Sequence, residues 1–374
     1  MNPQINITSE DNTIGSLLFT ISEIDTCIIN SIRRVLLSEI PTFVFKTFPD
    51  KENACIIKTN TSRLTNEVLK QRLSCIPIHI SDLSMPINEF YVKVHKINNS
   101  SLMEFVTTKD FMVYNAKTNE PISDIQRDKI FPKNNITNEY IDFCRLRPKI
   151  VEELNGEELE FVATIDISTA KENSMYNVVS KATYGMTKND KLNNEMWEAK
   201  QAELTSNNLN AEEIEFEKKN WNILEAQKFI IPNSFDFIVE TVGVFSNRDL
   251  IKKSCDIMIN KCEKFINLIQ SESLLYEKSS TTLPNCFDII LQGEDYTLGK
   301  AIESVLYIQH YDGDKTLAFL GFNKKHPHDI DSILRIAFKN ETIKNLQIEA
   351  VLLQYFNNAL TQLIDVYKQI QSQF

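Results

Sequence analysis

The chain has 374 residues, of which 42% are hydrophobic and 24% are charged, and its formal net charge is −11 at pH 7. This balance is typical of a soluble globular protein long enough to form two or more hydrophobic cores. Because neutralisation of phosphates dominates nucleic-acid affinity, the acidic balance argues against a broad nucleic-acid-binding surface.

Seven cysteines are scattered along the chain, and no two of them form a CxxC pair. This pattern predicts reduced thiols, as in the cytosol or the nucleus, rather than a disulfide framework. Zinc and iron–sulfur sites need clustered thiolates, so no metal and no cofactor is expected. The polar N-terminal sequence predicts no signal peptide, and no apolar run reaches the roughly 20 residues of a membrane span.

Residues 22–42 are predicted to form an amphipathic helix around which the first half is organised. Its apolar positions, at helical spacing, are Ile24, Ile28, Ile32, Val35 and Leu36. Ser22 can cap its start, and Pro41 ends it because proline biases the preceding residue away from the helical conformation. Arg33 and Arg34 lie about 100° apart around the helix, so they cannot both avoid the rim of the apolar face. Such a helix can dock on another protein, although a core helix has the same apolar pattern.

From residue 49 to 226 the sequence changes to short apolar alternations, prolines and polar turns, which favours a mostly β region. Residues 64–75 are predicted to be helical. The segment 187–222 is rich in Asn, Glu and Lys and is expected on the surface, with Trp197 and Trp221 as anchors of helical stretches. Strands are predicted at 43–48, 90–97, 102–107 and 159–167.

The region after residue 226 begins with a predicted strand at 235–245 and continues as a helix over 247–270. Apolar side chains recur along this helix at intervals of 4, 3, 4, 3 and 4 residues, as in a coiled-coil seam. The seam positions are Ile251, Cys255, Met258, Cys262, Phe265 and Ile269. Cys255 and Cys262 share this face, where packing is favoured over metal ligation.

The second half has a similar series of elements. After a polar stretch at 271–284, a helix is predicted over 293–308, with acidic residues at its positive end, and a last helix from about Lys344 to Gln371. Strands are predicted at 287–291, 316–322 and 333–338. The last helix repeats the same spacing at Leu352, Phe356, Ala359, Leu363, Val366 and Ile370. Since each apolar stripe must be covered, the two seams are predicted to pack against each other.

Residues 17–48 and 287–322 share the order strand, acidic turn, helix, strand, and each half closes with a seam helix. We therefore predict an α+β fold of two pseudo-symmetric dimerisation modules, each an antiparallel sheet with long packed helices, fused in one chain. The predicted boundaries are 1–48 with 227–280 for a discontinuous first module, 49–226 for a mostly β insert within it, and 285–374 for the second module.

The segment 30–42 reads NSIRRVLLSEIPT and closely resembles the signature of the alpha-like assembly subunits of multisubunit DNA-directed RNA polymerases. The segment 67–78, EVLKQRLSCIPI, resembles the second motif of that family, a helix that ends in an Arg-Leu-x-x-Ile-Pro turn. Residues 180–186 (SKATYGM) and 235–245 (FDFIVETVGVF) are similar to its Ala-Thr strand and its closing dimerisation element. The family's metal-binding cysteine cluster has no counterpart in this sequence.

The second half is similar to the smaller partner in that family, archaeal subunit L or the eleventh-largest eukaryotic subunit. Residues 293–302 read GEDYTLGKAI and resemble the family's Glu-Asp-His-Thr-Leu-Gly-Asn helix start, with Tyr296 and Lys300 in place of His and Asn. Residues 319–328, FLGFNKKHPH, resemble its Gly-Tyr-x-x-Pro-His-Pro turn, with departures at two positions. Both partners in one chain is the arrangement of large DNA viruses with cytoplasmic transcription, which favours a viral source.

The resemblance implies a non-catalytic platform on which the two largest, catalytic polymerase subunits assemble for DNA-templated transcription, together with small accessory subunits. It implies contact with nucleic acid only through the complex. In the family the Arg-Arg pair faces the large subunits, and guanidinium groups bond bidentately to carboxylates. The partner-binding residues predicted on this basis are Arg33, Arg34, Glu39 and Arg72. The predicted location is the virion and host cytoplasm for a viral protein, and the nucleus otherwise.

Two other functions are open from the residues alone. His326, His328 and Asp329 can be interpreted as ligands of a metal-dependent hydrolase, although a proline turn with exposed imidazoles gives the same sequence. A plain coiled-coil adaptor would explain the two seams but not the polymerase-like motifs. One further acidic group is interpreted as a solvated turn rather than a magnesium site, and it comprises Glu152, Glu153, Glu157 and Glu158.

Overall fold

The computed structural model of the chain describes residues 1–149, 151, 156–207, 209–339 and 348–374. Its helices and antiparallel sheets confirm the predicted α+β class. In chain order the strands are β1 (Gln4–Asp11), β2 (Ser16–Ser22), β3 (Thr42–Val44), β4 (Cys55–Asn60), β5 (Phe90–Ile97), β6 (Glu104–Thr107), β7 (Met112–Asn115), β8 (Asp142–Leu146), β9 (Glu158–Thr164), β10 (Asp166–Ser168), β11 (Val179–Lys188), β12 (Ile230–Thr241), β13 (Tyr276–Lys278), β14 (Cys286–Leu291), β15 (Leu317–Asn323) and β16 (Ser332–Phe338). The helices are α1 (Thr26–Ser38), α2 (Asn66–Ser74), α3 (Asp124–Ile130), α4 (Asp190–Ser206), α5 (Ala211–Ile223), α6 (Asn247–Gln270), α7 (Tyr296–Leu306) and α8 (Ile348–Ser372). Among the described residues, no helix has the length and apolar character needed to cross a bilayer.

The first sheet is antiparallel, with the strand order β1-β2-β12-β11. The period-two alternation along β2 places Leu17, Phe19 and Ile21 in the core, and the two residues between them are less buried. Phe19 stacks on Phe237 of β12 with ring centroids 5.3 Å apart. The sheet therefore has one apolar face, and α1 and α6 pack against its strands.

The second sheet has the order β13-β14-β16-β15. In both sheets the strands that come first and second in the chain are neighbours, followed by the fourth and then the third. In both halves the second strand precedes a helix that is capped by an aspartate. Asp25 Oδ1 accepts a hydrogen bond from the Cys27 N–H at 2.7 Å, and Asp295 Oδ1 accepts one from the Thr297 N–H at 2.8 Å. The stretch 271–284, predicted to be a polar connection, contains the edge strand β13.

Four helices, α1, α6, α7 and α8, share one hydrophobic core with both sheets. Helix α6 packs along α8, and α1 contacts both α6 and α7. Phe265 of α6 and Phe356 of α8 meet edge to face, with ring centroids 6.2 Å apart. The Ser31 hydroxyl and the Tyr367 hydroxyl share a buried hydrogen bond of 2.6 Å, which joins α1 to α8. One continuous core therefore connects the two halves of the chain.

The first helix differs from its prediction at both ends. It begins at Thr26 rather than near Ser22, because Ser22 ends β2 and Asp25 supplies the cap. Glu23 has φ = 59°, a left-handed conformation that cannot continue a right-handed helix. The helix then ends at Ser38, before the proline that was predicted to stop it. Likewise, α8 is described from Ile348, and the predicted start at residues 344–347 lies outside the described residues.

The region between β3 and β11 forms a β-rich unit with its own core. Its main sheet has the order β4-β9-β5-β7, and β6 pairs separately with β8. Aromatic rings fill this core, where Phe111 contacts Phe131, Phe143 and Phe161 at centroid distances of 5.5, 5.6 and 5.7 Å. The short strands β3 and β10 pair with each other. The strand predicted at 43–48 is therefore too long, because β3 ends at Val44.

The predicted insert, 49–226, is not a continuous unit, because β11 lies within that range but belongs to the first sheet. Val179 and Ala182 of β11 are buried in the main core. After β11 the chain makes a second excursion, the helix pair α4 and α5, in which the rings of Trp197 and Trp221 lie 5.7 Å apart. The change in amino-acid composition at residue 49 could not show that β11 belongs to the first sheet, because strand pairing is set by contacts distant in sequence.

Gly299 of α7 faces β15, and a side chain at this position would have no room. A Cβ atom there would lie 2.0 Å from Cε2 and 2.2 Å from Cδ2 of Phe322. We expect Gly299→Ala to lower the free energy of unfolding by about 1–3 kcal/mol, the usual cost of overpacking, as measured by urea denaturation. In the Phe322→Ala background the same substitution should cost clearly less, and an equal cost would contradict the steric explanation.

Candidate functional site

The two adjacent arginines of α1 have different partners. The Arg34 guanidinium reaches the start of α7, where Nε donates to Thr297 Oγ1 at 2.8 Å and Nη2 donates to Asp295 Oδ2 at 3.0 Å. Arg33 Nε donates to Asn30 Oδ1 at 3.0 Å, one turn back on its own helix. Arg33 remains half-buried, and within the described ranges no carboxylate forms an ion pair with it.

Asp295 has two roles at the start of α7. Its Oδ1 caps the helix through the Thr297 N–H, and its Oδ2 accepts the hydrogen bond from Arg34. Burial acts to raise the pKa of Asp295, but the hydrogen bonds from Thr297 and the charge of Arg34 outweigh it, so the pKa is lowered overall. The carboxylate is therefore ionised at neutral pH and available to hold Arg34.

Lys261 of α6 lies between two carboxylates, Glu39 at the end of α1 and Glu294 before α7. The Nζ atom is 2.8 Å from Glu39 Oε2 and 2.9 Å from Glu294 Oε2, and no side chain of the three is more than 13% exposed. Burial raises the pKa of Glu294, and the attraction of Lys261 offsets only part of this effect. Burial opposes the charge on Lys261, yet the two carboxylates raise its pKa above the usual value.

These contacts connect α1, α6 and the start of α7, and so join the two halves. We define the junction cluster as Arg34, Glu39, Lys261, Glu294, Asp295 and Thr297. Arg34 and Glu39 were predicted to bind other subunits, whereas the structure gives both side chains partners within the chain. The roles of Lys261 and Glu294 were missed, and the sequence signal for them was the acidic pair at the start of the helix predicted over 293–308.

Arg72, the fourth residue predicted to bind partners, lies apart from α1 in the β-rich unit. Its Nε donates to the carbonyl of Phe143 and its Nη2 to the carbonyl of Asp142, both at 2.8 Å. These bonds connect α2 to β8. The four predicted residues therefore do not form one continuous surface.

The positions of both predicted seams face the main core. All of them are buried except Ile269, which is partly buried. Burial raises the pKa of the Cys255 and Cys262 thiols to about 12, so both stay protonated and pack as apolar side chains.

The turn with His326, His328 and Asp329 is exposed. The Asp329 Oδ2 atom accepts a hydrogen bond from the His326 N–H at 2.9 Å, and His326 Nδ1 accepts one from the His328 N–H at 3.1 Å. These are the local bonds of a polar turn. They account for Asp329 Oδ2 and His326 Nδ1 without a metal ion.

Within the described part of the chain, one group has the spacing of metal ligands, His95, Glu158 and Glu160, whose ligand atoms lie within 4.8 Å of one another. Lys58 and Lys93 already neutralise Glu160, with Nζ–Oε1 distances of 3.3 and 3.8 Å. Two ammonium groups at one ligand disfavour a second cation there.

The acidic turn near residue 155 was predicted to be solvated, and this is wrong at Glu157. That side chain is buried, and its Oε2 accepts a hydrogen bond from the Arg147 N–H at 2.7 Å. Glu152 and Glu153 lie outside the described residues.

The antiparallel sheets and long helices share one hydrophobic core, the arrangement of an α+β fold. Residues 18–262 match one known family, the RNA polymerase Rpb3/Rpb11 dimerisation domain. The chain belongs to this family, which confirms the predicted resemblance to alpha-like polymerase subunits. The match begins in β2 and ends within α6, so it includes the β-rich unit and leaves the second half outside.

Two relatives are themselves polymerase subunits by name. The DNA-directed RNA polymerase subunit Rpo3 of Pyrococcus horikoshii is 22% identical over 278 residues, which are 69% of this chain and 95% of the relative. The DNA-directed RNA polymerases I and III subunit rpac1 of Dictyostelium discoideum is 43% identical over 79 residues. That second match covers 21% of this chain and only 20% of the relative's length.

Proposed function

We propose that this chain is a non-catalytic assembly subunit of a DNA-directed RNA polymerase and that it nucleates the association of the two large catalytic subunits. The observation that carries this proposal is the family match over residues 18–262. The match to 95% of the length of Rpo3 supports it further. In this function the chain contributes assembly rather than nucleotide transfer, and nucleic acid is contacted only through the complex.

We also propose that both partners of a family dimer are fused in this chain. The equal order of strands in the two sheets supports this, and so does the packing of α6 along α8. Fusion would raise the effective concentration of the two partners to about the millimolar range. A viral source, with the virion and host cytoplasm as location, or the nucleus for a cellular protein, stays a prediction.

Arg33 is the cation of α1 that we propose for contact with a large subunit. Among the described residues its guanidinium hydrogen-bonds to Asn30 alone, so donors remain for a carboxylate on a partner. Arg34 and Glu39 would act indirectly, because their bonds within the junction cluster set the position of α1.

A pull-down of the tagged chain, expressed with the other polymerase subunits, tests this assignment. Arg33→Ala should lower recovery of the two largest subunits by about tenfold, because a hydrogen bond to a charged group is worth roughly 1.5–3 kcal/mol. Its unfolding temperature should be unchanged, whereas adding Arg34→Ala should also lower stability through the lost bond to Asp295.

Lys368→Ala, which removes an exposed cation of α8, is the matched control and should leave recovery at the wild-type level. Full recovery with Arg33→Ala would contradict the role of Arg33. Absence of both large subunits from the wild-type pull-down would contradict the proposed function itself.

A further inference from the structure

The β-rich unit contains a groove of about 540 Å³ with an unusual concentration of positive charge. Four of the nine arginines of the chain line it, namely Arg63, Arg72, Arg145 and Arg147. Among the described residues that line it, one carries a carboxylate, Asp142. We call this groove the arginine groove. Although the chain has a net charge of −11, the charge along this groove is positive.

Two of the guanidinium groups are held in place by the chain itself. Arg72 is fixed by its bonds to the carbonyls of Phe143 and Asp142, which leave its charge unpaired. Arg147 is fixed by the buried Glu157, which accepts hydrogen bonds from its backbone N–H and its Nε and pairs with its charge. Fixed donors lose little conformational entropy when a ligand binds, so the unpaired charge of Arg72 is preorganised for an anion.

The other two guanidinium groups are exposed and available. Arg145 lies over the Phe105 ring, with its Cζ atom 5.0 Å from the ring centroid, and this contact orients the group without neutralising it. Within the residues that the structure describes, no carboxylate lies at ion-pair distance from Arg63 or Arg145. Both can therefore bond bidentately to a carboxylate that another molecule supplies.

Apolar side chains lie beside these charges. Leu64, Met103 and Phe143 also line the groove. Leu102 next to it is 74% exposed, and Met103 is 50% exposed. Apolar groups of this size favour a ligand that carries an apolar side chain as well as negative charge.

We propose that the arginine groove binds an acidic segment of another protein, an extended peptide with carboxylates on both sides of an apolar side chain. A protein segment fits better than a nucleic acid, because part of the lining is apolar and suits an apolar side chain of the ligand. This inference goes beyond the assembly function and does not depend on it, since α1 and the junction cluster take no part.

The test uses the full chain and a fluorescein-labelled peptide of about twelve residues that repeats Glu-Glu-Leu. Fluorescence anisotropy should show saturable binding that weakens with added salt. The double variant Arg63→Ala with Arg145→Ala should bind at least about tenfold more weakly, because it loses two charge-assisted contacts. Its unfolding temperature should match that of the wild type, because both side chains are exposed.

Lys218→Ala with Lys219→Ala, on exposed α5, removes the same charge elsewhere and should change the affinity by less than about twofold. A peptide that repeats Gln-Gln-Leu should not bind, and one that repeats Glu-Glu-Ser should bind more weakly. Absence of binding by the Glu-Glu-Leu peptide, or equal loss in both double variants, would overturn the proposal. Tighter binding of single-stranded RNA of equal charge, lost in Arg63→Ala with Arg145→Ala, would reassign the groove to nucleic acid.

Discussion

Leu363→Asp should unfold the chain or lower its free energy of unfolding by at least about 3 kcal/mol. Leu363 is fully buried on α8, within the core that α6 and α8 share, so the new carboxylate would have neither water nor a cation. The loss of a buried leucine alone costs about 2–5 kcal/mol, and the unpaired charge adds to it. Since folded domains are stable by only about 5–15 kcal/mol, the effect is a large share of the total.

Urea denaturation followed by circular dichroism and by intrinsic fluorescence measures this loss. Gln369→Asp, at an exposed position of the same helix, introduces the same charge and should change stability by less than about 0.5 kcal/mol. Because the proposed pairing is within one chain, the unfolding midpoint should not depend on protein concentration. An unchanged midpoint in Leu363→Asp would contradict the proposed contact between the halves.

Lys261→Met should be the second most damaging substitution, with an expected loss of about 3–5 kcal/mol. It leaves Glu39 and Glu294 close together, nearly buried and without a cation. Replacing both carboxylates as well, in Lys261→Met with Glu39→Gln and Glu294→Gln, should restore most of the stability. A triple variant as unstable as the single one would show that the lysine acts through packing and not through its charge.

The loss in Lys261→Met should depend on pH. Burial raises the folded-state pKa of Glu294 above its usual value of 4.5, so above that pH the folded state holds more protons than the unfolded state. Stability from this group therefore falls as the pH rises from 4.5 through the folded pKa. Lys261 lowers the pKa of Glu294 and so opposes the effect of burial. Without Lys261 the folded-state pKa of Glu294 is higher still, and the pH range over which stability falls is wider.

The difference in stability between Lys261→Met and the wild type should accordingly be largest at neutral pH and shrink as the pH is lowered toward about 4.5. Comparing two proteins at each pH cancels the contributions of groups far from the cluster. A difference that stays constant from neutral to acidic pH would contradict the assignment to Glu294.

Features with local causes could be predicted from the sequence. The spacing of apolar residues predicted a helix over 247–270, and α6 has these bounds. Apolar alternation predicted a strand at 90–97, which is β5. Both patterns depend on neighbours within one or two turns or pleats, so the sequence alone contains them.

Features with distant causes could not be predicted in this way. The place of β11 in the first sheet depends on its pairing with β12, beyond the helices α4 and α5. The bond of Arg34 to Asp295 joins residues that only the folded core brings together. Spacing along a helix showed that Arg34 lies on a rim, but it could not show whether that rim faces another subunit or the second half of the same chain.

The pairing of β3 with β10 has a consequence for how the protein is made. Strand β2 pairs with β12, and Leu18 lies opposite Ile238. The ribosome therefore synthesises the whole β-rich unit before β12 exists. Once that unit has folded, Thr42 and Ser168 are neighbours, and the chain between β2 and β12 behaves as a much shorter loop. Early folding of the unit therefore lowers the entropy cost of closing the first sheet, and it limits the time for which β2 can associate wrongly during translation.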